Sequence, residues 1–203
     1  RSLVKYNDKS IAAITDIAAS AKDDMVLIKT LTASSSATLD FVDGTDDVVL
    51  DNTYPIYVFK FINIHPATDA AEFQFQGNVA GGSGYNETIT SSMFAPRHSE
   101  DDSSEVGMSY QSSNDQAQGT AFQDIYINAG NANDECIAGY LYLFNPSSTT
   151  FVKHFIARVQ GSHNADSTFE FFTAGYFNTT SAIDEIQFKM STGNTDAGTI
   201  KLY

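Results

Sequence analysis

The residues best suited to bind a metal or move a proton are four histidines, His65, His98, His154 and His163, and their spacing argues for neither role. No HxH or HExxH pattern links them. His154 falls in a strand-like run, on the opposite face from Phe151, Phe155 and Ala157, which reads as a surface or partly buried strand histidine. The only cysteine, Cys136, opens an apolar run with Ile137, Tyr140 and Leu141 and reads as a small buried hydrophobe. A lone cysteine excludes an intrachain disulfide framework and any cysteine-based zinc cluster. Asp124 and Glu170 are strand carboxylates of the kind a glycosidase brings together across a sugar, but outward polar positions on alternating strands account for both. There is no Gly-x-Ser-x-Gly elbow and no Walker loop, and Gly81-Gly82-Ser83-Gly84 leads into Tyr85-Asn86 rather than a helix. The expectation is a chain with no catalytic residues, not an enzyme.

Three acidic clusters could offer oxygen ligands: Asp43 with Asp46 and Asp47, Glu100 with Asp101 and Asp102, and Asp134 with Glu135. None matches an EF-hand or a calcium-binding repeat, and solvated loop charge is the simpler reading. No metal site and no cofactor are expected, with structural calcium kept as the runner-up. Tyrosine rings can stack on sugar faces while asparagine amides bond hydroxyls, so Tyr85, Asn86, Tyr110 and Asn114 are the glycan-contact candidates, against a reading as ordinary loop residues. The absence of tryptophan weakens that case. Asn86-Glu-Thr88 and Asn178-Thr-Thr180 match the N-glycosylation sequon, which matters only on a eukaryotic secretory route.

These residues must be held by strands. From Met25 onward the pattern has period two, as in Ala37–Val42, where Leu39 and Phe41 alternate with Thr38 and Asp40. Asp43-Gly44 marks a turn, and Val48–Leu50 reads as a short strand. Tyr54–Ile64 is a near-continuous apolar run with Pro55 near its start, which predicts a central strand. Glu72–Gln76 alternates cleanly and is expected to form a hairpin with it. Residues 77–120, rich in Gly, Ser, Asn and Gln, read as one or two long loops with weak strands at Tyr85–Ile89 and Val106–Tyr110. Six more strands are predicted at Ala121–Asn128, Cys136–Phe144, Phe151–Gln160, Thr168–Phe177, Glu185–Met190 and Gly198–Tyr203, separated by Gly-, Asn- and Pro-containing turns. Roughly ten strands with no helix between them indicate an all-β antiparallel sandwich, with the jelly roll preferred.

Residues 1–24 differ. Ser10 can cap a short helix through Ile11, Ile14 and Ile17, and Leu3 and Val4 add apolar surface. A helix of about 12 residues is marginal alone, so an N-terminal arm 1–24 is expected to pack on its own domain (25–203) or on other chains. The segment has no apolar core of a signal peptide.

The 203 residues include 25 acidic and 11 basic side chains, a formal charge of −14, which repels phosphate and argues against nucleic acid as a partner. Hydrophobic residues at 42% are enough for a sizeable core, while no apolar run approaches a membrane span.

Several stretches resemble a family of small virion proteins of marine tailed phages: Phe59–Asp69 with Phe73–Gln76, Tyr140–Ser148, the ending Gly198–Tyr203, and the opening Leu3–Asn7 with Ser10-Ile11 and Met25–Thr30. The resemblance spans nearly the whole chain, with residues 77–120 the variable part, and its motifs are strand and turn signatures. It implies a virion structural role, tail-fibre-like or head-decorating, with the chain's own copies in a homotrimer or array and other virion proteins as partners. Contact with host-surface glycan would fit such a role. The alternative from the residues is a secreted carbohydrate-binding module or lectin, and a glycan-cleaving enzyme is a weaker third.

Overall fold

The structure is a computed structural model that describes residues 25–102 and 106–203. The arm residues Leu3, Val4, Ile11, Ile14 and Ile17 lie outside the described residues, and with them the expected helix. Thirteen strands follow in order: β1 Lys29–Thr32, β2 Leu39–Val42, β3 Ile56–Pro66, β4 Ala71–Val79, β5 Ile89–Ser99, β6 Gly107–Tyr110, β7 Ala117–Gly119, β8 Gln123–Ala129, β9 Ile137–Phe144, β10 Lys153–His163, β11 Ser167–Phe177, β12 Ile183–Met190 and β13 Thr195–Leu202. Every pairing is antiparallel, and no helix occurs among the described residues, so the fold is all-β.

The strands form two layers. The large sheet runs β1-β13-β3-β9-β10-β11-β5, with β6 and β7 one after the other along the outer edge of β5. The small sheet runs β8-β4-β12-β2, and the layers are joined where His163 of β10 pairs with Ala129 of β8. The order is nested: the first strand pairs with the last, and the second with the one before last.

Alternation explains the layering. Tyr57, Phe59 and Phe61 of β3, Phe155 of β10 and Phe171 and Phe177 of β11 point inward from the large sheet and are fully or almost fully buried. Phe41, Phe73, Phe75, Tyr126 and Phe188 answer from the small sheet. Their rings meet across the core edge to face, as in Phe61–Phe73 at 5.1 Å and 88°, Phe75–Phe155 at 5.0 Å and Tyr126–Phe171 at 5.0 Å. Such pairs add about 0.5–1.5 kcal/mol each to the burial itself.

Three expectations need correction. β3 and β4 do not form a hairpin: β3 pairs with β13 and β9, and β4 with β12 and β8. The short connection between them crosses from one layer to the other, so their phenyl rings meet edge to face across the core instead of side by side. Val48–Leu50 is not a strand. Its backbone curls on itself, Gly44 N–H donating to the Val48 carbonyl at 3.0 Å and Leu50 N–H to Asp43 Oδ1 at 2.8 Å, while Val48 and Leu50 are buried. Burial without pairing produced the strand-like apolar signal. Residues 77–120 are not mainly loop, because β5 is an eleven-residue strand. Its inward position 91 is a serine satisfied by buried Gln123 through Ser91 Oγ to Oε1 at 2.6 Å, which hid the alternation of Ile89, Met93 and Ala95.

A bulge bends β13 against β3 at Gly198, whose φ of 115° and 2.5 Å approach of an added Cβ to the Asn63 carbonyl leave room only for glycine.

Candidate functional site

Strands of an antiparallel sheet that face water on one side carry polar residues there. The large sheet breaks this rule. On β9, Ile137, Leu141 and Leu143 are buried inward while Tyr140, Tyr142 and Phe144 occupy the outward positions. On β3 the outward residues are Ile56, Val58, Lys60 and Ile62, with Ile56 45% exposed and Ile62 41%. Ile156 on β10 and Phe94 on β5 are also exposed, at 49% and 42%. Together with Phe172, Tyr176 and Tyr203 they make one apolar and aromatic field across the outer face. Contiguous exposed apolar fields of this kind mark interaction surfaces.

Register aligns the field in rows. One row crosses the strands as Lys201, Lys60, Tyr140, Arg158, Phe172, Phe94 and Tyr110, each opposite the next. Phe172 and Phe94 stack in parallel, 4.9 Å apart and 2° from coplanar orientation. Arg158 lies over the other face of Phe172 at 5.2 Å, and its Nε donates to Glu170. Lys60 sits over the Tyr203 ring at 4.7 Å. The row thus carries three cations, Lys201, Lys60 and Arg158, of which Arg158 is paired with Glu170, within an acidic chain. The next row runs Val58, Tyr142, Ile156, Ala174 and Ser92, and carries no charge.

Grooves follow the same face. One of about 330 Å³ lies between Met25, Val26, Tyr54, Ile56, Val58, Tyr142 and Tyr203. A second, about 390 Å³, is floored by Phe94, Tyr140, Ile156, Arg158 and Phe172. A third, about 520 Å³, opens at the end of β9 between Phe144, Asn145, Ser148, Thr150, Phe151, His154 and Thr180.

The four glycan-contact candidates do not form one constellation. Tyr110 stands on the large sheet's outer face, 63% exposed, its phenol O–H donating to Asp115. Asn114 is spent on structure: its amide donates to Asp124 Oδ2 at 2.8 Å and its carbonyl accepts from Gln123 Nε2 at 3.0 Å. Tyr85 is half-buried over the small sheet beside Phe122, with ring centroids 6.4 Å apart. Burial, the Asp40 charge and a bond to Glu185 push its phenol well above the usual range. Asn86 is exposed in the same loop.

The remaining titratable residues are held apart. Asp124 accepts from Gln74 Nε2 at 2.7 Å as well as from Asn114, and burial raises its carboxyl above the ordinary value, with the Glu72 charge adding to the shift. Glu170 is paired with Arg158. His65 contacts the Ala132 carbonyl at 3.2 Å and His98 lies 3.2 Å from Asp102. His154 rests against Tyr176, and His163 stacks on Phe169 at 4.3 Å. Among the described residues no three His, Cys, Asp or Glu side chains are grouped to hold a metal ion. In the acidic loops, Asp43 caps Leu50 N–H, Asp46 lies 4.0 Å from Lys29, and Glu135 accepts from Ala132 N–H at 2.6 Å. Cys136 is not the buried hydrophobe expected: it is half-exposed just before β9, its thiol 3.9 Å from Asn63 Oδ1.

The outward residues of β3, β9 and β10 were missed as a surface. Their signal was present in the near-continuous apolar run Tyr54–Ile64 and in Tyr140–Phe144, since runs without polar alternation belong to strands covered on both faces.

Comparison with known protein families, curated proteins and solved structures finds no match to this chain.

Proposed function

We propose that the chain is a non-enzymatic structural module of a phage virion, a fibre or decoration unit that packs against further copies of itself through the outer face of the large sheet and is held to the particle by its N-terminal arm. The observation that carries self-assembly is the outward set Ile56, Tyr142, Ile156 and Phe172 on strands whose inward faces already build the core. Tyr, Phe and Arg at the centre of a face, with few carboxylates, is the composition of protein interfaces. Ile156 and Phe94 are 49% and 42% exposed, so covering the remainder of each contributes about half of the 1.5–3 kcal/mol of a complete burial. The virion role itself rests on the resemblance drawn from the strand and turn signatures. The nested strand order supports reading the sandwich as a jelly roll, with β5–β7 and the β10–β11 hairpin as an added flank. The test is rebinding of purified chain to particles that lack it, with copies counted by quantitative mass spectrometry. The full chain binds in multiple copies and a chain without residues 1–24 does not; binding of neither chain overturns the virion role.

A second reading, a carbohydrate-binding module or lectin, is favoured by the groove at the end of β9. There Phe151, 71% exposed, stands beside His154 and the hydroxyl and amide groups of Asn145, Ser148, Thr150 and Thr180. Titration calorimetry against neutral oligosaccharides, with Phe151→Ala as control, decides it: heat lost in the variant supports the lectin, and no heat with the native chain removes it.

A further inference from the structure

We propose that the self-association is heterologous: the basic, aromatic outer face of the large sheet in one copy receives the acidic edge of the small sheet, around Asp40, Asp43 and Glu185, of the next. This rests on the self-assembly reading above and adds the surface each copy offers its neighbour.

The argument is charge complementarity. Lys60 and Lys201 stand directly opposite each other on β3 and β13. Like charges in that relation are destabilising. Among the described residues neither ammonium has a carboxylate within 4.0 Å. Among the described residues Lys60 lies over the Tyr203 ring and in no ion pair. The third cation of the face, Arg158, is paired with Glu170, the one carboxylate among the outward residues of β3, β9, β10 and β11.

The opposite layer has the reverse imbalance. Asp40 accepts from Thr38 at 2.7 Å and from Gln187, both neutral donors. Asp43 accepts from the Leu50 N–H. Asp184, beside them, has its carboxyl raised by burial and then by the charges of Glu185 and Asp43, so these carboxylates repel one another, and among the described residues none of the three has a cation within 4.0 Å. Lys189, the cation on that layer's outer face, is turned onto the Phe122 ring at 4.0 Å.

A self-complementary contact through the large sheet would join two faces that both carry Lys60, Lys201 and Arg158 and would supply no carboxylate for the two lysines beyond Glu170, already paired with Arg158. In a chain of formal charge −14, copies repel at long range. The contact that joins opposite signs is front to edge. Such a contact uses two different surfaces per copy and either closes into a ring or continues as a row.

The test is sedimentation velocity of the full chain at low and at physiological salt, with three variants. Lys60→Glu with Lys201→Glu reverses the face, and Asp40→Lys with Glu185→Lys reverses the edge. A third carries all four changes. Folding of each is checked by circular dichroism, and Lys60→Ala with Lys201→Ala serves should the reversal unfold the chain. The native chain associates, more weakly as salt rises. Each reversal alone weakens association by about tenfold or more, since both leave one surface mismatched. Mixing the two reversals restores assembly in alternating copies, through native face on native edge and reversed face on reversed edge, and the fourfold variant associates again. A native chain that stays monomeric at all concentrations overturns the self-assembly reading and this inference together. Native association that survives either reversal, or reversed chains that fail to pair when mixed, overturns the heterologous contact and leaves the self-assembly reading standing.

Discussion

Tyr142 and Leu143 are consecutive on β9 and point to opposite sides of the large sheet, and both sides are apolar: Leu143 is fully buried in the core, while Tyr142 lies on the outer face between Val58 of β3 and Ile156 of β10. Leu143 holds the core, while the Tyr142 ring lies among those of Tyr140 and Phe144 on the outer face. Leu143→Ala is expected to cost about 2–5 kcal/mol of stability in urea unfolding, the range for truncating a buried leucine. Tyr142→Ala is expected to leave unfolding within about 1 kcal/mol of the native chain and to weaken self-association. Equal loss of stability in both variants contradicts the division.

Phe188 on β12 is the hub of the core. Its ring meets those of Phe41, Phe59, Phe61, Phe73 and Phe75, at centroid distances from 5.2 to 6.2 Å. Phe188→Ala removes contacts to strands of both layers and is expected to destabilise by about 3–5 kcal/mol, read from the shift of the urea midpoint. A loss below about 1 kcal/mol would show that the layers do not pack through this ring.

Much of this architecture was legible in the sequence, and the failures have physical causes. The six strands from Ala121 onward were found because inward Val, Phe and Leu alternate with polar residues between turns that favour positive φ. β5 was hidden by Ser91 and Pro96, since an inward, partly buried serine bonded to Gln123 does not look like a core residue. The β3–β4 hairpin failed because alternation fixes which face a residue takes and does not fix which strand lies beside it. The glycan candidates were drawn from loop composition, and Asn114 shows the weakness of that approach: its amide closes a bond to Asp124, a partner that no spacing rule indicates. The outer face was missed because aromatic residues were credited to the core by default.

Lys153 is fully buried, its ammonium donating to the Phe151 and Thr179 carbonyls at 3.1 and 3.0 Å, and burial lowers its proton affinity, partly offset by the Glu87 charge. Between its depressed value and the ordinary 10.5, the unfolded chain holds a proton that the folded chain has released. Stability contributed at this site therefore rises with pH through that window. The difference in unfolding free energy between the native chain and Lys153→Met, measured from about pH 7 to about pH 10, is expected to move in favour of the native chain. A flat difference shows that the lysine keeps its proton on folding.

Asp124 shifts the other way. Its carboxyl is raised above the ordinary 3.8, first by burial, so its contribution to stability is complete below that value and is lost as pH rises through the folded-state pKa. Relative to Asp124→Asn, the native chain is expected to be more stable at about pH 3 than at about pH 7. The reverse order would mean that the bonds from Gln74 and Asn114 outweigh burial.

The central claim, that the large sheet's outer face is a contact between copies, is tested most directly by the mass of the full chain in solution. Light scattering on the native chain and on the Tyr142→Asp, Ile156→Asp double variant gives the answer in one experiment. The account predicts a native mass that is a multiple of 22.0 kDa and a folded variant at 22.0 kDa. A native chain already at the single-chain mass, or a variant that keeps the native multiple, would contradict it.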